Sequence, residues 1–173
     1  DGSLDEISDF RQHEGSSINP KRQQEPHAHS INIDPSNRFA FCADLGLDKV
    51  VVYDLDLDGG KLKDHGSASV TAGDGPRHFV VHPNRLKAYV INEISNTVTA
   101  FDWDESAGTL SEFQEISTVP DDFAGTTHTA DIHITPDGRY LYGSNRGHDS
   151  IAMYSIDAHS GQLAALGHQR VPA

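Results

Sequence analysis

Apolar residues in this chain come in short bursts of four to six positions, and each burst is stopped by a cluster of Gly, Pro, Asn or Asp. Such bursts predict strands, and the clusters predict turns. No window carries a helical period. Three bursts end alike: His29-Ser30-Ile31-Asn32-Ile33-Asp34-Pro35, Arg77-His78-Phe79-Val80-Val81-His82-Pro83 and Ala130-Asp131-Ile132-His133-Ile134-Thr135-Pro136. Their starts lie 48 and 53 residues apart (77 − 29 and 130 − 77). Val50, Val98 and Ile151 keep the same offsets, as do Tyr53, Phe101 and Tyr154, and Leu62, Leu110 and Leu163. Separate landmarks holding one spacing identify a structural repeat.

Each repeat reads as four strands. Strand A runs into the Pro turn. Strand B follows at Phe39 to Ala43, Ala88 to Asn92 or Tyr140 to Ser144. Strand C covers Val50 to Leu55, Val98 to Trp103 or Ile151 to Ile156, and a Gly-containing hairpin leads to strand D near Leu62, Leu110 or Leu163. Four antiparallel strands in about fifty residues is the arithmetic of a propeller blade. The expected fold is therefore all-β: a propeller fragment of three four-stranded blades, at 29–76, 77–129 and 130–173. Residues 1–28 read as the end of a preceding blade, with a lone strand D over residues 4 to about 10, and a long loop. Two open edges would then invite edge-to-edge pairing between copies, closing the ring as a homo-oligomer.

Positions that only build a blade should look alike in all three repeats, so chemically distinct positions stand out. One such column is the start of strand A: His29, Arg77 and Ala130. A second, sixteen residues on, is the end of strand B: Leu45, Glu93 and Arg146. The start of A and the end of B lie at the same end of an antiparallel blade, so both columns should rim one central mouth. Loops lengthened at that end mark a binding face. Rim Arg and Glu residues also serve as structural ion pairs between blades, and that reading stands beside the functional one.

Composition narrows the chemistry. The formal net charge is −13, which disfavours nucleic acid and anionic membrane as partners. Cys42 is the single cysteine and sits in an apolar run, so no intrachain disulfide forms and the thiol reads as a core residue. No apolar stretch is long enough for a membrane-spanning helix, and a cytoplasmic protein is the expectation; the first residue is not Met, which fits a removed leader or a truncated chain. His27 and His29 would alternate onto one strand face, and with His78 they raise the question of a metal. No Cys or carboxylate is arranged with them, so no metal and no cofactor are expected. His78 and Asp131 occupy the position after the first column and are candidates to support it or to touch substrate, as is His27. His133 reads as a packed or hydrogen-bonded structural histidine. The alternating Asp54-Leu55-Asp56-Leu57-Asp58 lacks the glycine and closing glutamate of a calcium loop and reads as a solvated face. Ser16 to Glu25 reads as a mobile polar loop over the mouth.

At these residues the chain resembles the lactonase family of seven-bladed propellers, which includes bacterial 6-phosphogluconolactonases and fungal carboxymuconate cycloisomerases. The resembling stretches are Pro26-His27-Ala28-His29, Gly75-Pro76-Arg77-His78, Val90-Ile91-Asn92-Glu93, Ala130 to Arg139 and Ser144-Asn145-Arg146. The resemblance implies a catalytic set of His29, Arg77, Glu93 and Arg146, the four ionisable residues that the repeat comparison selects. It implies hydrolysis of a sugar lactone, with 6-phosphogluconolactone as the favoured substrate. In that chemistry Glu93 or His29 is the general base and the other the proton donor, while Arg77 and Arg146 hold an oxyanion or a substrate phosphate. The same tools suit carboxymuconate cycloisomerisation, and a propeller piece also serves as a non-catalytic binding platform. A small lactone or carboxylate is the expected partner. The family's chains are longer than this one.

Overall fold

The computed structural model describes residue 3 and residues 6–172. Twelve strands account for its regular structure: β1 (Ala28–Ile33), β2 (Phe39–Asp44), β3 (Lys49–Asp56), β4 (Lys61–Ser69), β5 (Pro76–Val81), β6 (Lys87–Asn92), β7 (Thr97–Asp104), β8 (Thr109–Ser117), β9 (His128–Ile134), β10 (Tyr140–Arg146), β11 (Ser150–Ile156) and β12 (Leu163–Arg170). They form three separate four-stranded antiparallel sheets, β1–β4, β5–β8 and β9–β12, each a meander in chain order. This is the fragment of a β-propeller that the repeat predicts.

The repeat reaches down to single backbone angles. Asn37, Arg85 and Gly138 all take positive φ in the turn between the first two strands of their blades, at the offsets of 48 and 53. Asp48, Asn96 and Asp149 do so in the second turn, and Gly60, Gly108 and Gly161 in the third. At Gly108 glycine itself is required, because a Cβ there would lie 2.6 Å from the Phe39 ring.

Burial follows from stacking blade on blade. A strand in the middle of a blade is covered on both faces, so β2 and β6 are buried along nearly their whole length. Phe41 and Phe79 meet across the first seam with ring centroids 4.7 Å apart, and Trp103 packs edge-on against Phe41 at 4.8 Å. Tyr89, Ile91, Leu141 and Tyr154 fill the second seam. The outward face of the first blade carries a smaller cluster of Ala40, Cys42 and Tyr53. Cys42 is a core thiol there, its pKa pushed up to about 11 by burial and the nearby Asp44.

One expectation needs correction. Among the described residues, 6 to 10 form no strand; Leu4 lies outside them. This segment docks on the start of β4 through side chains. Asp9 accepts the Leu62 amide at 2.8 Å and Ser8 Oγ donates to the Gly60 carbonyl at 2.8 Å. Further on, His13 bridges buried Asp44 (2.5 Å) and the Tyr53 hydroxyl (2.6 Å), stapling the segment to the outward face of the first blade.

Candidate active site

The innermost strand of every blade breaks register at the same place. In β1 the pairing skips from Ala28 to Ser30, in β5 from Pro76 to His78, and β9 holds one extra residue between Thr129 and Ile132. These are β-bulges, which turn a side chain out of the pleat. His29 and Arg77 are the bulged residues, and Ala130 lies in the third bulge. The column that the sequence marks as chemically distinct is thus a column of bulges. The opposite column follows the last paired residue of β2 and β6 and ends β10, where the Glu93 amide donates to the Gly75 carbonyl at 2.7 Å.

His29, Arg77, Glu93 and Arg146 converge, with Glu93 at the centre and only 4 % exposed. Arg77 Nε donates to Glu93 Oε2 at 2.8 Å and Arg146 Nη2 to the same oxygen at 2.9 Å. His29 Nε2 stands 3.8 Å from it. Arg77 Nη1 also donates to the Ala130 carbonyl at 2.7 Å, and Arg146 Nη2 to the Thr129 carbonyl at 2.9 Å. Backbone from the third blade therefore helps aim both arginines.

Burial alone would raise the Glu93 pKa, but Arg22, Arg77 and Arg146 outweigh it and hold the carboxylate below its ordinary range. For His29 burial is the larger effect and the Arg77 charge the next. Together they press its pKa below the usual histidine value against the opposing pull of Glu93. The imidazole is neutral at pH 7 and the carboxylate is ionised.

His78 and Asp131 stand behind Arg77. Arg77 Nη1 lies 3.0 Å from His78 Nε2. A guanidinium has no acceptor, so His78 Nε2 must accept and its Nδ1–H donates to Asp131 Oδ1 at 2.7 Å. Asp131, His78, Arg77 and Glu93 are one chain of contacts. His133 donates to the other Asp131 oxygen at 2.9 Å but is largely exposed, hydrogen-bonded rather than packed. His27 is not brought in: it is exposed and its side chain makes no hydrogen bond or ion pair among the described residues. The bulge is the reason, since it breaks the alternation that would have put His27 and His29 on one face.

Sequence reasoning missed Arg22. Its Nη2 donates to Glu93 Oε1 at 2.6 Å, across 71 residues of chain. It rides on the segment expected to be mobile, which is instead pinned. Gln23 is fully buried and donates to the Leu45 carbonyl (2.8 Å) and to Asp48 Oδ1 (2.7 Å). Asp48 also accepts from Ser17 Oγ and from the amides of Gly73 and Gly75. One buried carboxylate thus ties the Arg22 turn to the loop that leads into Arg77. The available signal was Asn19-Pro20-Lys21-Arg22, where the Asn19 side chain caps a turn by accepting the Lys21 and Arg22 amides at 3.0 and 3.1 Å.

Three stacked blades of a β-propeller bring a neutral imidazole, an ionised carboxylate and arginines together in one cluster. The sequence matches the family described as lactonase, 7-bladed beta-propeller, over residues 1–172, and the chain belongs to that family. It is 41 % identical over 164 residues to a 6-phosphogluconolactonase of Bacillus subtilis, covering 95 % of this chain and 46 % of that protein. Its fold matches a protein from Lactobacillus plantarum with a TM-score of 0.89 at 31 % identity, over 94 % of this chain and 46 % of the other. A periplasmic gluconolactonase of Pseudomonas aeruginosa matches with a TM-score of 0.87 at 30 % identity, over 95 % and 46 %. The chain spans about half the length of these relatives. No helix among the described residues is long and apolar enough to cross a membrane.

Proposed function

We propose that this chain carries the catalytic mouth of a sugar lactonase acting on 6-phosphogluconolactone. The observation that carries the reading is the convergence of His29, Arg77 and Arg146 on Glu93 Oε2, in a chain 41 % identical to a 6-phosphogluconolactonase. A cytoplasmic setting goes with the same reading.

Lactone hydrolysis needs an activated water, a home for the oxyanion and a proton for the departing ring oxygen. Both Glu93 oxygens already accept from guanidinium groups, and its depressed pKa makes it a poor base. Neutral His29 is the better base. In this mechanism the imidazole takes a proton as water oxygen bonds to the lactone carbonyl carbon. Arg77 and Arg146, aligned by Glu93, hold the negative charge that develops on the carbonyl oxygen. The bond from that carbon to the ring oxygen then breaks, the imidazolium returns its proton to the ring oxygen, and a hydroxy acid leaves.

The test is hydrolysis of 6-phosphogluconolactone above the spontaneous rate. His29→Ala should lower kcat by roughly 10²- to 10⁴-fold, the usual contribution of a positioned base. Loss of a base with a lowered pKa predicts that wild-type kcat/KM falls only below the ordinary histidine range, at acid pH. Unchanged turnover in His29→Ala would remove the imidazole from the mechanism, and no rate above background in the wild type would remove the reading itself.

A further inference from the structure

We infer that Arg22 is a specificity-determining residue that binds the remote anionic group of the substrate, a phosphate ester, away from the reacting carbon. This rests on the lactonase reading above and adds a residue to it.

The two oxygens of Glu93 divide the site. His29, Arg77 and Arg146 all gather at Oε2, which is where an activated water and an oxyanion would be served. Arg22 alone stands at Oε1. It is therefore placed beside the reacting groups without joining them, as a clamp on a distant substituent would be.

Its donors are also free. A guanidinium has five N–H groups. Among the described residues the Arg22 side chain uses one of them, on Glu93. Arg77 is more committed, with bonds to Glu93, His78 and the Ala130 carbonyl. The Arg22 side chain is 40 % exposed against 17 % for Arg77, so an incoming ligand can reach it.

Charge points to the ligand's sign. Three guanidinium groups face one carboxylate, which leaves surplus positive charge in the mouth of a chain whose net charge is −13. A forked donor with free N–H groups suits a phosphate, which accepts two parallel bonds. The position is also pre-organised. Buried Gln23, held by Asp48 and the Leu45 carbonyl, fixes the turn that presents Arg22, so little order need be gained on binding.

The experiment is calorimetric titration of the full chain with the two hydroxy acid products, 6-phosphogluconate and gluconate. The wild type should bind the phosphorylated acid about tenfold or more tightly, as charge-assisted bonds to one phosphate predict. Arg22→Gln should bring the ratio of the two affinities close to one, and Arg22→Lys, a point charge without the fork, should keep part of it. A ratio that survives Arg22→Gln overturns the inference, as does a wild type with no preference. Binding is read separately from turnover. A preference lost in Arg22→Gln, in a protein that hydrolyses neither lactone, would refute the lactonase reading and leave the phosphate contact standing.

Discussion

Glu93→Gln keeps the shape of the central side chain and removes the charge on which three guanidinium groups converge. The amide oxygen can still accept two hydrogen bonds, but without the charge, and its NH2 group meets an arginine donor head-on. Arg22 and Arg146 are 40 % and 53 % exposed, so water screens them and each pair contributes well under about 1 kcal/mol. Arg77 is 17 % exposed, and its charge-assisted bond is worth about 1.5–3 kcal/mol. With mutual repulsion among the freed arginines added, the expected loss is roughly 2–4 kcal/mol at pH 7. For a chain of this size that lowers Tm by roughly 5–12 °C. The folded pKa of Glu93 lies below the ordinary 4.5. Its stabilisation is therefore complete above pH 4.5 and is lost as the pH falls through the depressed folded value. Urea unfolding of both proteins should show the full gap at neutral pH and convergence once the pH falls below the depressed folded value. Equal stability at pH 7, or a gap undiminished in acid, would refute the account of Glu93 as the anchor of the arginines.

Two other outcomes are expected. Asp74 is buried in the loop before Arg77, with Glu115 and Ser95 as side-chain neighbours, and its Oδ2 accepts no hydrogen bond among the described residues. Burial, the contact with Asp74 and the charge of Glu112 push Glu115 up to about 7, and burial also raises Asp74. The shared proton stabilises the fold fully below pH 4.5 and less as the pH rises through about 7, so Tm should fall over that window in the wild type. Glu115→Gln, which donates without titrating, should flatten the fall, and a parallel slope in both proteins would refute the pairing. Separately, the outer strands carry a second bulge at His65, Phe113 and Leu166. His65 reaches the Ala107 carbonyl of the next blade and Phe113 packs into the next seam, but Leu166 is 56 % exposed. Light scattering should give a mass above 18.8 kDa, lowered by Leu166→Asp; a wild type that stays monomeric would refute association through this face.

The order of the strands and their grouping in fours were legible in the residues because those features are encoded locally. Apolar bursts, Pro turns such as Asp34-Pro35 and left-handed positions such as Asn37, Asp48 and Gly60 recur at one offset, and each acts within a few residues of itself. The same register exposed His29, Arg77, Glu93 and Arg146 as the odd members of otherwise matching columns. Tertiary packing decided the rest. Nothing near Arg22 in the chain announces that it meets Glu93, because the contact exists only once Gln23 and Asp48 lock two loops together. Nor does the apolar pattern reveal the bulges that turn His29 and Arg77 into the mouth and leave His27 outside. A one-residue slip in pairing is a property of two strands at once, and the charge state of each site residue is a property of all its neighbours.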